Sequence, residues 1–161
     1  MKVFLSYAVG QLDAPIAARL RAVAAAYDIS ILLPDRTQAT RGSISMDIRA
    51  KIKESDAVIA LVTSTSQIAA VNLVNLEVQA AARAGKPVIA LIEQGVPVQN
   101  IPADQVVHFN RSQPTAHEAS LLTVLNQIRS KKRKDDLTAL GWIAGIALGL
   151  VALSGLTSEE Q

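Results

Sequence analysis

The stretch VNLVNLEVQAAARAG, residues 71–85, holds a single carboxylate, Glu77, among aliphatic and amide side chains. At about 100° per residue, Asn72, Asn75, Gln79 and Arg83 form one stripe of a helix, the side expected to meet solvent. Val71, Val74 and Val78 form another, the side expected to meet a core. Glu77 belongs to neither stripe and projects roughly 150° from the middle of the polar one. Its helical neighbours are Ala70, Leu73, Ala80, Ala81 and Ala84. A carboxylate bordered by small side chains has room beside it for another molecule; the alternative is an exposed alanine strip that Glu77 solvates. The remaining groups fit for chemistry stand at the ends of short aliphatic runs: Ser6 and Tyr7, Asp35 and Arg36, Thr63 and Ser64, Glu93, and Asn110.

These residues need a scaffold, and the chain supplies one by alternation. Residues 2–7, 29–33, 57–63, 87–92 and 106–109 read as strands, several of them continuously apolar and so buried on both faces. Helical patterns lie between them at 12–26, 43–53 (with Ser43 as N-cap), 67–84 (stopped by Gly85) and 116–130. This order predicts an α/β fold with a doubly wound parallel sheet, in which ligands bind beyond the carboxyl ends of the strands.

The chain of 161 residues is 50% hydrophobic and 3% aromatic, which requires an aliphatic core. A formal charge of +2 is too small to indicate nucleic acid as a partner. With no cysteine there is no disulfide, thiolate nucleophile or Cys-ligated metal. His108 and His117 are the only histidines and have no ligand spacing, so no metal site is expected. No Gly-rich phosphate fingerprint is present. The opening MKVFLSYAVG has too short an apolar run for a secretory signal.

The C-terminal part differs in kind. Residues 137–156, LTALGWIAGIALGLVALSGL, are uncharged and long enough as a helix to span roughly 30 Å, about one bilayer core. The basic run RSKKRK at 129–134 precedes them. The expected organisation is therefore a soluble domain over 1–130, a basic linker over 131–136, a transmembrane helix over 137–156 and a short tail over 157–161. Basic residues on the domain side place that domain in the cytoplasm, giving a single-pass membrane protein. Gly141, Gly145 and Gly149 share one helix face and suit self-association of such a helix, although glycine is frequent in membrane helices generally.

Taken in order, VFLSYA, the stretch from ISILLPDR to SDAVIALVTSTS, and GKPVIAL resemble a bacterial TIR (Toll/interleukin-1 receptor) domain over about residues 2–110. The resemblance implies a flavodoxin-like sheet of five parallel strands. It also implies that Glu77, on the helix after the third strand, is the catalytic residue of an NAD glycohydrolase or cyclase. The VNLV preceding Glu77 departs from that family's usual residues. Nicotinamide is a cationic leaving group, and one carboxylate can stabilise the oxocarbenium-like sugar it leaves behind. Ser6 and Tyr7 then suit contacts to ribose or phosphate, or a strand–loop hydrogen bond. Arg36 and Arg41 suit the pyrophosphate, a neighbouring subunit, or a solvated loop. Asp35 is a ligand or a turn residue after Pro34, and Thr63 completes the binding set. Glu93 reads as a loop residue and His108 as a sheet-end residue.

The expected function is a membrane-anchored NAD-cleaving effector in defence against phage. It would take NAD or a related nucleotide as substrate, need no other cofactor, and assemble as a homo-oligomer through its TIR surfaces and the glycine face. A second reading is a non-catalytic domain that binds a nucleotide signal or a partner and clusters helices that disturb the bilayer. A third is a nucleoside deoxyribosyltransferase-like glycosidase, a similar fold that also uses a Glu, for which a membrane tail is hard to motivate.

Overall fold

The computed structural model describes residues 1–8, 13–35, 43–64, 68–97 and 101–132. Five strands form one parallel sheet: β1 (Lys2–Tyr7), β2 (Ser30–Leu32), β3 (Ala57–Val62), β4 (Val88–Glu93) and β5 (Gln105–Phe109). Their spatial order is β2-β1-β3-β4-β5, the doubly wound, flavodoxin-like arrangement expected. Four helices complete it: α1 (Ala14–Ala25), α2 (Met46–Glu54), α3 (Ile68–Arg83) and α4 (Pro114–Lys132).

Why both faces are covered follows from the strands. All six residues of β3 and of β4 are buried, so side chains pointing either way must find apolar partners. On one face Val3, Leu5, Ile59 and Leu91 pack against Ala17, Leu20 and Ala24 of α1 and Leu121 and Leu125 of α4. On the other, Phe4, Val58 and Ala60 meet Ile48 and Ile52 of α2 and Val74, Val78 and Ala81 of α3. The core face of α1 is therefore centred on Ala17 and Ala24, while Ile16 and Val23 are only half-buried. The small alanine side chains let that helix approach the sheet closely. Ile59 is fully buried at the centre of the sheet. Ile59→Ala should cost about 3 kcal/mol through lost transfer energy and a residual cavity, seen as a lower urea midpoint at unchanged slope.

One local reading changes. The N-cap of α2 is Ser45 rather than Ser43, because Ser45 is extended and its side chain accepts the Ile48 N–H (3.3 Å). Between β4 and β5, where the sequence carries no helical pattern, the described residues form no helix. That connection is instead pinned by Asp104, which takes the Val88 N–H on Oδ2 at 2.7 Å and donates its own N–H to the Val88 carbonyl at 2.9 Å. Gly85 does end α3: it adopts φ 65°, and the N–H of Lys86 reaches back to the Ala81 carbonyl at 3.0 Å.

The membrane assignment is corrected. No helix among the described residues is long and apolar enough to cross a membrane. The segment 137–156, with Gly141, Gly145 and Gly149, lies outside the described residues, as does the tail. The basic run read as a membrane flank begins inside α4, which extends to Lys132. There Arg129 serves the fold, donating to the Tyr27 carbonyl at 2.8 Å.

Candidate functional site

The strand order reverses between β1 and β3. The chain leaving β1 turns to one face of the sheet as α1, and the chain leaving β3 turns to the other as α3. Such a switch point opens a crevice at the carboxyl ends of the two strands. Ser6, one residue from the end of β1, points toward α3 because its neighbours Leu5 and Tyr7 point toward α1 and α4. Just past the midpoint of α3, Glu77 faces it, and the Ser6 hydroxyl donates to Glu77 Oε2.

Both partners are 0% exposed. Glu77 thus sits on the sheet side of α3, with Val74 and Val78, and not on an exposed alanine strip. The helical angle already separated it from the polar stripe; only the sheet decides that this direction is inward. A carboxylate placed between a helix and a sheet loses its hydration and must be compensated by hydrogen bonds. Folding alone gives no reason to prefer it over leucine there.

The same sheet edge carries a second polar group, on the α1 and α4 face. Asp13 stands at the N-cap of α1 and is 2% exposed, yet its side chain makes no capping hydrogen bond. Its Oδ1 instead accepts from Thr63 Oγ1 (2.8 Å) and from Arg111 Nη2 (3.3 Å). Arg111 forks onto Glu93 at the end of β4, with Nε to Oε1 at 2.5 Å and Nη2 to Oε2 at 3.2 Å. Glu93 Oε2 also accepts the Ser64 N–H (2.8 Å) and hydroxyl (2.9 Å). Because Thr63 and Ser64 are adjacent in the chain, the contacts close into a ring joining the start of α1 to the ends of β3, β4 and β5.

Burial pushes the Glu93 carboxyl up, but hydrogen bonds from Arg111 and Ser64 and the Arg111 charge outweigh it and hold the group below its ordinary value. The Arg111 guanidinium is raised in turn, first by its bond to Glu93. A carboxyl depressed in the fold contributes stability that is complete above its unfolded pKa, ordinarily 4.5, and lost as pH falls through the folded value. The melting temperature should therefore drop on acidification below that range, and Glu93→Gln should flatten that limb of the profile.

Of the expected site residues, the structure brings Ser6 to Glu77 and places Thr63 in the ring. Tyr7 points to the opposite face from Ser6, into the core against α1 and α4. Asp35 is exposed beyond β2. Arg36 and Arg41 lie outside the described residues. His108 is exposed on the edge strand β5. Glu93, read as a loop residue, is the last residue of β4 and is 9% exposed. Asp13 and Arg111 were missed. Arg111 follows Asn110, the strand end already marked, so the strand-end rule extended by one residue finds it; Asp13 has the look of an ordinary helix cap. Among the described residues no group of acidic or histidine side chains is arranged to hold a metal.

No family model matches the chain, and no curated protein matches it in sequence. Among solved structures, a 2-deoxyribosyltransferase from Bacillus psychrosaccharolyticus is similar in fold, with TM-score 0.50 and 15% identity over 68% of this chain and 86% of that one. A CMP N-glycosidase from Clostridium botulinum is also similar, with TM-score 0.53 and 16% identity over 76% of this chain and 99% of that one. The TIR assignment is corrected by these matches, and the membrane and antiviral role attached to it falls with it. The motifs behind the TIR resemblance are strand ends and helix starts of a doubly wound sheet, which unrelated families of this fold share. The chain has the fold of these N-glycoside-processing proteins.

Proposed function

We propose that the protein cleaves or exchanges the N-glycosidic bond of a nucleoside or nucleotide, with Glu77 as the carboxylate that meets the anomeric carbon. The observation that carries this reading is a fully buried carboxylate, held by Ser6, at the switch point between β1 and β3. The fold likeness to a deoxyribosyltransferase and a CMP N-glycosidase supports the same bond as the target.

As the base departs, positive charge develops on the sugar, and a carboxylate at that position stabilises it by charge or by transient bonding to the sugar carbon. Water then completes hydrolysis, or a second base completes transfer. Because Glu77 is fully buried, a sugar reaches it only when the crevice opens. NAD asks least of such a site: nicotinamide leaves as a neutral molecule without first being protonated, whereas an ordinary nucleobase needs a proton. The test is release of free base from NAD, CMP, cytidine, thymidine and deoxyadenosine, separated by chromatography. Release from at least one substrate, lost in Glu77→Gln, supports the proposal. Absence of release from every one at millimolar substrate overturns it, and saturable binding without release would favour a nucleotide-binding domain.

A further inference from the structure

The ring of Asp13, Thr63, Ser64, Glu93 and Arg111 has no part in the chemistry above. We propose that Arg111 and Glu93 are positioning residues, and that the ring they close holds the end of β3 as the far wall of the crevice over Glu77. The proposal rests on Glu77 being the reacting carboxylate.

Three features carry it. First, the Thr63–Asp13 bond at 2.8 Å ties the chain leaving β3 to the chain entering α1, so it spans the switch point itself. Second, Ser64 gives both its N–H and its hydroxyl to a single oxygen of Glu93, which fixes the residue from which the chain turns toward α3. Third, the arrangement is costly for a fold. Asp13 gives up a helix cap, and two carboxylates that are 2% and 9% exposed require one guanidinium between them. Apolar residues of similar volume generally hold such a place as well or better. What they cannot do is hold a strand end at defined distance and angle, as the planar fork of an arginine does.

The test uses the full chain carrying Glu93→Gln or Arg111→Lys; the second keeps the charge and loses the fork, and serves if the first folds poorly. A misplaced wall leaves the sugar bound but badly aimed, so kcat should fall about 10- to 100-fold. KM should stay within about threefold, the pattern of an interaction felt in the transition state rather than in binding. Hydrogen exchange should quicken at Ser64 and along the described start of α3 while β1 keeps its protection. A kcat within about twofold of the parent, or a rise in KM at unchanged kcat, overturns the proposal. If the parent releases no base at all, the glycosidase reading fails separately and exchange decides alone: unchanged protection at Ser64 and early α3 in both variants overturns the ring as a positioning element, and faster exchange confined to them supports it.

Discussion

Glu77→Gln is expected to lower base release by on the order of 10²–10³-fold, the loss seen when one preorganised electrostatic group is removed from a transition state. The substitution changes almost nothing else. The amide has the shape of the carboxylate, and its oxygen can still accept from the Ser6 hydroxyl, the contact present now. What disappears is the negative charge that would stabilise the developing sugar cation. Since that charge is buried at 0% exposure, replacing it with a neutral amide lowers the desolvation cost of the site, and the melting temperature should stay equal or rise. Chromatographic assay and thermal melting by circular dichroism check the two halves together. Activity kept above half would show that Glu77 is not the reacting group. A sharply lower melting temperature would instead make it a structural acid. A companion variant sharpens the contrast: Glu77→Met combined with Ser6→Ala fills the place with apolar atoms and should be inactive.

The second large effect concerns stability. Arg111→Ala should cost about 3 kcal/mol, the lower part of the range for removing one partner of a buried ion pair. The lower part applies because the Arg111 side chain is 32% exposed, while those of Asp13 and Glu93 are 3% and 12%. The penalty is mostly that of the two carboxylates left behind with their charge uncompensated. It should therefore be strongly non-additive: Glu93→Gln introduced into the Arg111→Ala background should recover part of the loss, although it costs stability alone. Urea titrations of the single and double variants measure this, and simple additivity would show that the ring contributes little.

The elements that sequence alone places well are those with the most redundant signal. The continuous apolar runs of β3 and β4 can be satisfied only between two layers, so their burial on both faces was legible. The end of α3 was legible because Gly85 takes a conformation that other residues adopt at a cost. The start of α2 was less so, since two serines, Ser43 and Ser45, compete as caps and only the backbone angle chooses between them. Family was the least legible. Motif order reports the layout of the sheet, and that layout is common to proteins with different chemistry. The basic run after residue 128 shows the same limit: its charge pattern fits a membrane flank, but it begins within the last turn of α4.

For the site, the helical period by itself determined that Glu77 does not share a side with the asparagines and Arg83, because angles within one helix are fixed by local geometry. It could not say whether that third direction meets water or protein, because what lies there is another part of the chain, β1, whose Ser6 is 71 residues away. Only the tertiary structure brought Ser6 to Glu77. Likewise Asp13, Thr63, Ser64, Glu93 and Arg111 carry no shared pattern in the sequence. They meet because parallel strands all end at one edge, and because a doubly wound sheet returns the start of α1 to that edge beside them.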